Sequence, residues 1–262
     1  MKESLTLIAH RGYSDRFPEN TLLSFEEAMR VGAGLLECDV HLSADGKVVV
    51  LHDPILERTT TGKGPIVKLP WSEIRKVSAH YPKKFGEDYR GLKIPLLEEV
   101  LDLVKGRARL FIEIKPEAVT PGNPAPIVAA VLQVLKKRKR MKEVALISFH
   151  RPALRQCRDL SAEVKIGALF HAWPLKNPVA LTEEIGANFM ILNKRILTKR
   201  YTSRLQNDHL PIGAYTVDDP QEAKHLFDLG VRAIATNRIL EMSEALKHFD
   251  GTLDLRGDRF FT

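Results

Sequence analysis

The chain has 262 residues, 44% hydrophobic and 28% charged, which excludes a disordered or collagen-like polymer. No apolar run approaches the roughly 18 residues that a membrane-spanning helix needs, so a transmembrane segment is not expected. Forty basic residues against 33 acidic ones leave a net charge of +7, a surplus that raises the local concentration of anions such as phosphates.

The first apolar segment, residues 5–9, is too short for a signal-peptide core and runs into His10-Arg11, so the expected compartment is the cytosol. Cys38 and Cys157 fit that reading, because neither sits in a metal-type CxxC pair and reducing conditions disfavour disulfides. Strand-like runs recur at residues 5–9, 35–40, 48–51, 110–114, 144–149, 164–170, 189–192, 212–217 and 231–236. Helical patterns fall between most of them, at 21–31, 97–104, 125–139, 152–160, 178–185, 198–206 and 220–229. Several open on proline, whose missing N–H costs nothing in a first turn, and Gly230 closes the last. Strands alternating with helices predict a parallel sheet. The basic run at 136–140 (Lys-Lys-Arg-Lys-Arg) ends one of these helices and reads as a solvated terminus whose cations complement the helix dipole. No nucleic-acid motif accompanies it, so no nucleic-acid partner is expected.

Nine strands are one too many for an eight-stranded barrel, and the link between residues 40 and 48 accounts for the surplus. Its seven residues are too few for a parallel crossover and contain Asp45-Gly46, a hairpin signal. The strand at 48–51 should therefore fold back on the second strand. A two-residue turn at Asp45-Gly46 pairs Ala44 with Lys47 and, continuing outward, Asp39 with His52. Glu37 shares the face of Asp39, and Cys38 points away from it to pack against a helix. The expected fold is thus an α/β (β/α)8 TIM barrel, one domain over residues 1–262, with a β-hairpin extension of strand 2. Residues 53–96, the one long connection, should form a small cap insertion at the catalytic end, mostly polar, with a short helix at 71–77.

Active sites of such barrels collect at the C-terminal ends of the strands. Those ends read His10-Arg11-Gly12, Glu37-Cys38-Asp39, His52-Asp53, Glu113-Ile114-Lys115, Ser148-Phe149-His150, Tyr215-Thr216 and Thr236-Asn237. Glu113 lies in an otherwise apolar strand, where a lone carboxylate is costly unless it is paired or bound to a cation. Three carboxylates without a sulfur ligand favour a hard divalent cation, Mg²⁺ or Ca²⁺. His41 reads as a polar hairpin residue and His150 as a strand-end residue with a weak claim on substrate. His80, His171, His209, His225 and His248 have no supporting pattern.

In order along the chain, His10-Arg11-Gly12, Glu19-Asn20-Thr21, Glu37-x-Asp39-Val40, Asp45-Gly46, His52-Asp53 and Glu113-Ile114-Lys115 resemble the signature of the glycerophosphodiester phosphodiesterase family. The likeness continues through Ser148-Phe149 and Thr216-Val217 to residues 230–236, so it spans nearly the whole chain. It implies a barrel enzyme that cleaves small-molecule glycerophosphodiesters to sn-glycerol 3-phosphate and an alcohol. By the same resemblance, Glu37, Asp39 and Glu113 hold one divalent ion, and His10 and His52 are the acid–base pair. Arg11 and Lys115 bind the phosphate, and Glu19 and Asn20 shape the loop behind His10. Attack by the glycerol 2-hydroxyl, giving a cyclic phosphate that water opens, and direct attack by water both remain open. A lysophospholipase-D-like phosphodiesterase on the same barrel and a non-catalytic phosphodiester-binding protein are the alternatives.

Besides His150, where the family more often shows an acidic residue, the chain departs from the family pattern in two places. Tyr215-Thr216-Val217-Asp218 stands where the family usually has Trp-Thr-Val-Asn, and Asn237 stands where it often has aspartate. None of these is expected to touch the metal or acid–base set, so the departures should bear on the alcohol alone. Tyr215 offers a smaller face than tryptophan and a hydroxyl able to bond a polar alcohol, which predicts a mild preference for glycerol or ethanolamine over choline.

Overall fold

The computed structural model describes residues 3–122, 125–172, 177–205, 210–249 and 251–261. Among the described residues ten strands appear in chain order: β1 (Ser4–His10), β2 (Leu35–Leu42), β3 (Val48–Val50), β4 (Arg109–Ile114), β5 (Val144–Ser148), β6 (Lys165–Phe170), β7 (Phe189–Asn193), β8 (Ile212–Tyr215), β9 (Ala233–Thr236) and β10 (Thr252–Asp254). β2 pairs with β4, the pairing runs on through successive strands to β9, β9 pairs with β1, and β1 pairs with β2 to close a cylinder of eight parallel strands. With helices between those strands, this is a (β/α)8 barrel. β3 lies antiparallel on β2 as the hairpin expected from Asp45-Gly46.

Among the elements that escaped the sequence reading are β10, three residues that pair with the start of β1, the helix Ile239–Ala245 and the short helix Pro82–Phe85. Gln206, in one expected helix, and His209 lie outside the described residues. No helix among the described residues is long and apolar enough to cross a membrane.

The period-two alternation of the strands divides the apolar residues into two layers. Outward side chains such as Leu7, Leu36, Cys38, Leu110 and Ile112 pack under the helices. Inward ones, Ile8, Leu35, Phe111, Ile147, Phe189 and Ile191 among them, fill the barrel. The same alternation carries Leu35, Glu37 and Asp39 up one inner face and Phe111 and Glu113 up the next. Parallel register then sets Asp39 beside Glu113 and His10 beside Glu37. Inward direction therefore turns from apolar to charged as each strand nears its C-terminal end.

The hairpin register differs from expectation by one residue. Val40 pairs with Val50 and Leu42 with Val48, and the Ser43 N–H donates to the Lys47 carbonyl at 2.9 Å. Ala44-Asp45-Gly46 is thus a three-residue loop, with Gly46 at φ +77°, a left-handed conformation that glycine enters without steric cost. Asp39 consequently faces Leu51, whose N–H donates to its carbonyl at 3.1 Å, and His52 falls beyond the end of β3.

The segment 53–96 has more apolar organisation than its composition suggested. Leu56, Ile66, Ile74, Ala79, Ile94 and Leu96 form a buried cluster with Val49 and Leu51 of the hairpin. The short helix there runs Trp71–Ile74, ending three residues before the expected boundary. The run at 136–140 is also less solvated than expected. Arg138 bonds Asp102 at 2.7 Å, and Arg140 is a buried side chain that bonds Glu143 at 2.7 Å.

Candidate active site

The site begins with the turn that follows β1. Arg11 and Gly12 are both left-handed, at φ 58° and 81°, and the space beside Gly12 is closed, since an added Cβ would meet the Ser24 backbone at 2.6 Å. Only glycine fits there. The turn seats on the helix Leu22–Arg30, whose first turn is capped by Thr21 and Ser24, and Ser24 Oγ also donates to the Arg11 carbonyl at 3.0 Å. Held this way, the Arg11 N–H donates to Glu37 Oε2 at 3.0 Å. Its guanidinium meets Glu19 Oε1 at 2.8 Å and Asp39 Oδ2 at 3.2 Å. Asn20 closes the loop by donating from Nδ2 to Asp39 Oδ2 at 2.8 Å.

Glu37, Asp39 and Glu113 are all buried, and one oxygen from each lies within 4.8 Å of the others. Lys115 Nζ sits 2.9 Å from Glu113 Oε1 and 3.6 Å from Asp39 Oδ1, while Glu37 Oε1 is buried with no hydrogen-bond partner. Burial, reinforced by the charge of Asp39, pushes the Glu37 carboxyl well above its usual range and Glu113 to about 7. Burial acts on Asp39 in the same sense, but Arg11, Lys115 and the two histidines outweigh it and hold that group low. Three buried carboxyls around one point, two of them reluctant to ionise together, make an oxygen-donor set short of positive charge. Its chemistry fits a hard divalent cation.

Two imidazoles flank this set. His10 has Nδ1 on Asn237 Oδ1 at 2.8 Å and Nε2 at 4.0 Å from Glu37 Oε2; burial and the neighbouring Arg11 lower its pKa to about 4. His52 has Nδ1 on Asp53 Oδ1 at 2.6 Å and Nε2 at 3.2 Å from Lys115 Nζ, and burial lowers its pKa despite the attraction of Asp39. Although the register slipped, His52 still reaches the mouth because its carbonyl is bonded by His41 Nε2 at 3.0 Å. His41 is thus a buried support rather than a polar hairpin residue. Arg58 ties the cap to the site, bonding Glu19 at 2.8 Å and Asp53 at 2.6 Å.

Opposite the charged wall, Phe149, Leu169, Ile191 and Tyr215 line the same mouth, a cavity of about 320 Å³ with His10, Arg11, Glu37, His52, Glu113 and Lys115. Tyr215 and Phe149 meet in a T-shaped contact with centroids 5.9 Å apart. Its hydroxyl donates to the Phe170 carbonyl at 3.2 Å, so the proton expected to bond an alcohol is already engaged. His150 faces away from the cavity: its Nδ1 accepts from the Ala153 N–H and caps the helix Arg151–Leu160. His171, which carried no sequence signal, lines the cavity instead.

Comparison with known proteins matches residues 10–241 to the glycerophosphoryl diester phosphodiesterase family. The chain belongs to that family. It is 31% identical to a glycerophosphodiester phosphodiesterase of Bacillus subtilis over 90% of this chain and 84% of the relative. It is 32% identical to another from Caldanaerobacter subterraneus, over 88% and 93% of the two chains. A solved phosphodiesterase from Oleispira antarctica, in complex with the product sn-glycerol 3-phosphate, superposes with a TM-score of 0.85. That alignment is 29% identical and covers 92% of this chain and 96% of the other.

The protein is accordingly a phosphoric diester hydrolase, and all ten residues singled out from its sequence lie in or against one mouth. The phosphodiesterase also carries site residues that the sequence did not single out. Arg58, His41 and His171 stand in no motif, and nothing local marks them. The expectation that the departures at positions 218 and 237 leave the acid–base set untouched is corrected by the 2.8 Å contact between Asn237 and His10. The Asn237 side chain is in turn held by Asp218 at 2.8 Å.

Proposed function

We propose that this phosphodiesterase hydrolyses glycerophosphodiesters to sn-glycerol 3-phosphate and an alcohol, with Glu37, Asp39 and Glu113 holding one divalent cation and His10 and His52 exchanging the protons. The observation that carries the reading is the buried carboxylate triad, with Glu37 Oε1 unpartnered, between two imidazoles in one mouth. When bound, a divalent cation supplies Lewis-acid charge where negative charge grows on the phosphoryl oxygens. Arg11 and Lys115, the cations at that wall, add fixed positive charge that orients the phosphate and stabilises the same development.

A phosphodiester needs one proton removed from the attacking hydroxyl and one delivered to the departing alcohol. Both imidazoles present Nε2 toward the charged wall, and their lowered pKa keeps each ring neutral at rest, with a lone pair ready to take a proton and pass it on. Asp53, itself fixed by Arg58, holds the far nitrogen of His52, and Asn237 holds that of His10. The apolar wall of Phe149, Leu169, Ile191 and Tyr215 accepts the rest of the ester and limits water there.

The test is release of glycerol 3-phosphate from glycerophosphocholine and glycerophosphoethanolamine with and without chelator. The reading expects turnover that vanishes in EDTA and returns with Mg²⁺ or Ca²⁺. Unchanged turnover in EDTA would remove the metal from the mechanism, and no release from either ester would remove the substrate class.

A further inference from the structure

We infer that Asp218 and Asn237 form a positioning relay that fixes the tautomer of His10, leaving the lone pair of its neutral ring on Nε2. This rests on the acid–base reading of His10, but the relay itself is read from donors and acceptors. Asp218 Oδ1 accepts from Thr236 Oγ1 and from the Asn237 N–H, both at 2.8 Å, and its Oδ2 accepts from Asn237 Nδ2 at 2.8 Å. A carboxylate only accepts, so the amide of Asn237 must turn its Nδ2 to Asp218 and its Oδ1 to His10. The Ser14 hydroxyl lies 2.9 Å from that oxygen and 2.8 Å from the His10 carbonyl, and its single hydrogen is shared between the two, so the orientation rests on Asp218.

An amide oxygen cannot donate, so the hydrogen in the 2.8 Å contact belongs to His10 Nδ1. The neutral ring then carries its lone pair on Nε2, the nitrogen nearer Glu37. The bond made by one imidazole nitrogen sets the state of the other, and a ring in the wrong tautomer presents a hydrogen where a lone pair is needed. Asp218 never touches His10. It acts through the amide, and neither residue meets the reacting atoms.

The geometry predicts an unusual pattern for isosteric exchanges. In Asp218→Asn, residue 218 keeps its oxygen toward Thr236 and the Asn237 N–H, so its new amide nitrogen faces Asn237. The Asn237 amide must then flip, its Nδ2 faces His10, and the tautomer inverts to Nε2–H. In the double exchange Asp218→Asn, Asn237→Asp the donors and acceptors are restored in reverse. The amide now at position 218 would donate to the carboxylate now at position 237, whose second oxygen again accepts from His10 Nδ1–H.

The experiment is long-range ¹H–¹⁵N correlation of the histidine rings at neutral pH, with His10 assigned by the signal missing from His10→Ala, alongside kcat and KM. We expect Nδ1–H in the parent and the double variant and Nε2–H in Asp218→Asn. We expect kcat to fall roughly 10²-fold in Asp218→Asn with KM changing less, and the double variant to recover at least 10-fold of that loss. Retention of Nδ1–H in Asp218→Asn overturns the relay, as does a double variant no better than the single one. Parent-like kcat in His10→Ala would instead overturn the acid–base reading, and the tautomer measurement would still decide the relay.

Discussion

At the N-terminal end of the barrel, Phe111 stacks on Phe189 with centroids 5.0 Å apart, and Phe260 meets both in T-shaped contacts at 5.8 and 5.1 Å. At the C-terminal end, two residues further along the same inner face from Phe111, Glu113 meets Asp39, Glu37 and Lys115, and Glu37 Oε1 has neither a hydrogen-bond nor an ion-pair partner. One alternating register builds both layers. The lower layer gains from burial and dispersion, whereas the upper one concentrates like charge out of water, which costs stability unless a cation joins it. Stability and chemistry are therefore separated along the barrel axis by one or two turns of the pleat.

Substitutions at the two ends should fail in different ways. The largest energetic effect belongs to the lower layer: Phe260→Ala should cost about 3–5 kcal/mol, a fall in Tm of order 10 °C, with kcat near the parent value below the transition. Calorimetry and kinetics on the same sample check this, and a kcat loss in the still-folded variant would show that the layers are coupled. At the mouth the pattern reverses. His10→Ala and His52→Ala should each lower kcat by roughly 10²-fold or more with Tm almost unchanged. Near-normal kcat in either variant would take that imidazole out of the proton transfers.

A smaller effect sits between the ends, in the ion pairs that tie the cap to the site. Glu19 has its carboxyl held down at about 2: burial alone would raise it, and the hydrogen bonds and charges of Arg58 and Arg11 more than compensate. A carboxyl lowered in the folded state stabilises above its unfolded pKa and loses that contribution as pH falls through the folded one. Stability should therefore drop between about pH 4.5 and 2 by an amount of order 1–3 kcal/mol, and Glu19→Gln should flatten that limb. Parallel Tm-against-pH curves for the two proteins would contradict the pairing.

The smallest effect concerns the apolar wall. Tyr215→Phe should leave the kcat/KM ratio of choline to ethanolamine esters within about two-fold, because the hydroxyl proton is held by Phe170. Tyr215→Trp should move it toward choline by a few-fold, the scale of about 1 kcal/mol for a cation on a larger ring. Equal ratios in all three proteins would turn attention to the cap.

The contrast between the ends also explains which features could be seen in the sequence. The barrel was legible because its strands bury both faces and read as apolar runs, and the surplus strand was legible from the short link at Asp45-Gly46. The register was not, because a three-residue loop with Gly46 at φ +77° carries the same dipeptide as a two-residue turn. β10 was missed because three half-exposed residues show no period. At the mouth, residues at strand ends could be placed by periodicity and motif. Arg58, His41 and His171 arrive from the cap, the hairpin and a loop, and only the folded chain brings them in. Asn237 and Asp218 were seen as departures, yet the contact of Asn237 with His10 depends on two neighbouring strand ends meeting.

The central claim is that the upper layer of the barrel is completed by a cation, and calorimetric titration of Mg²⁺ or Ca²⁺ into chelator-treated protein tests it most directly. One ion per chain, a rise in Tm on binding, and loss of both in Asp39→Asn are the results predicted for a site made by Glu37, Asp39 and Glu113. Full turnover in protein that binds neither ion, or undiminished binding in Asp39→Asn, would contradict it.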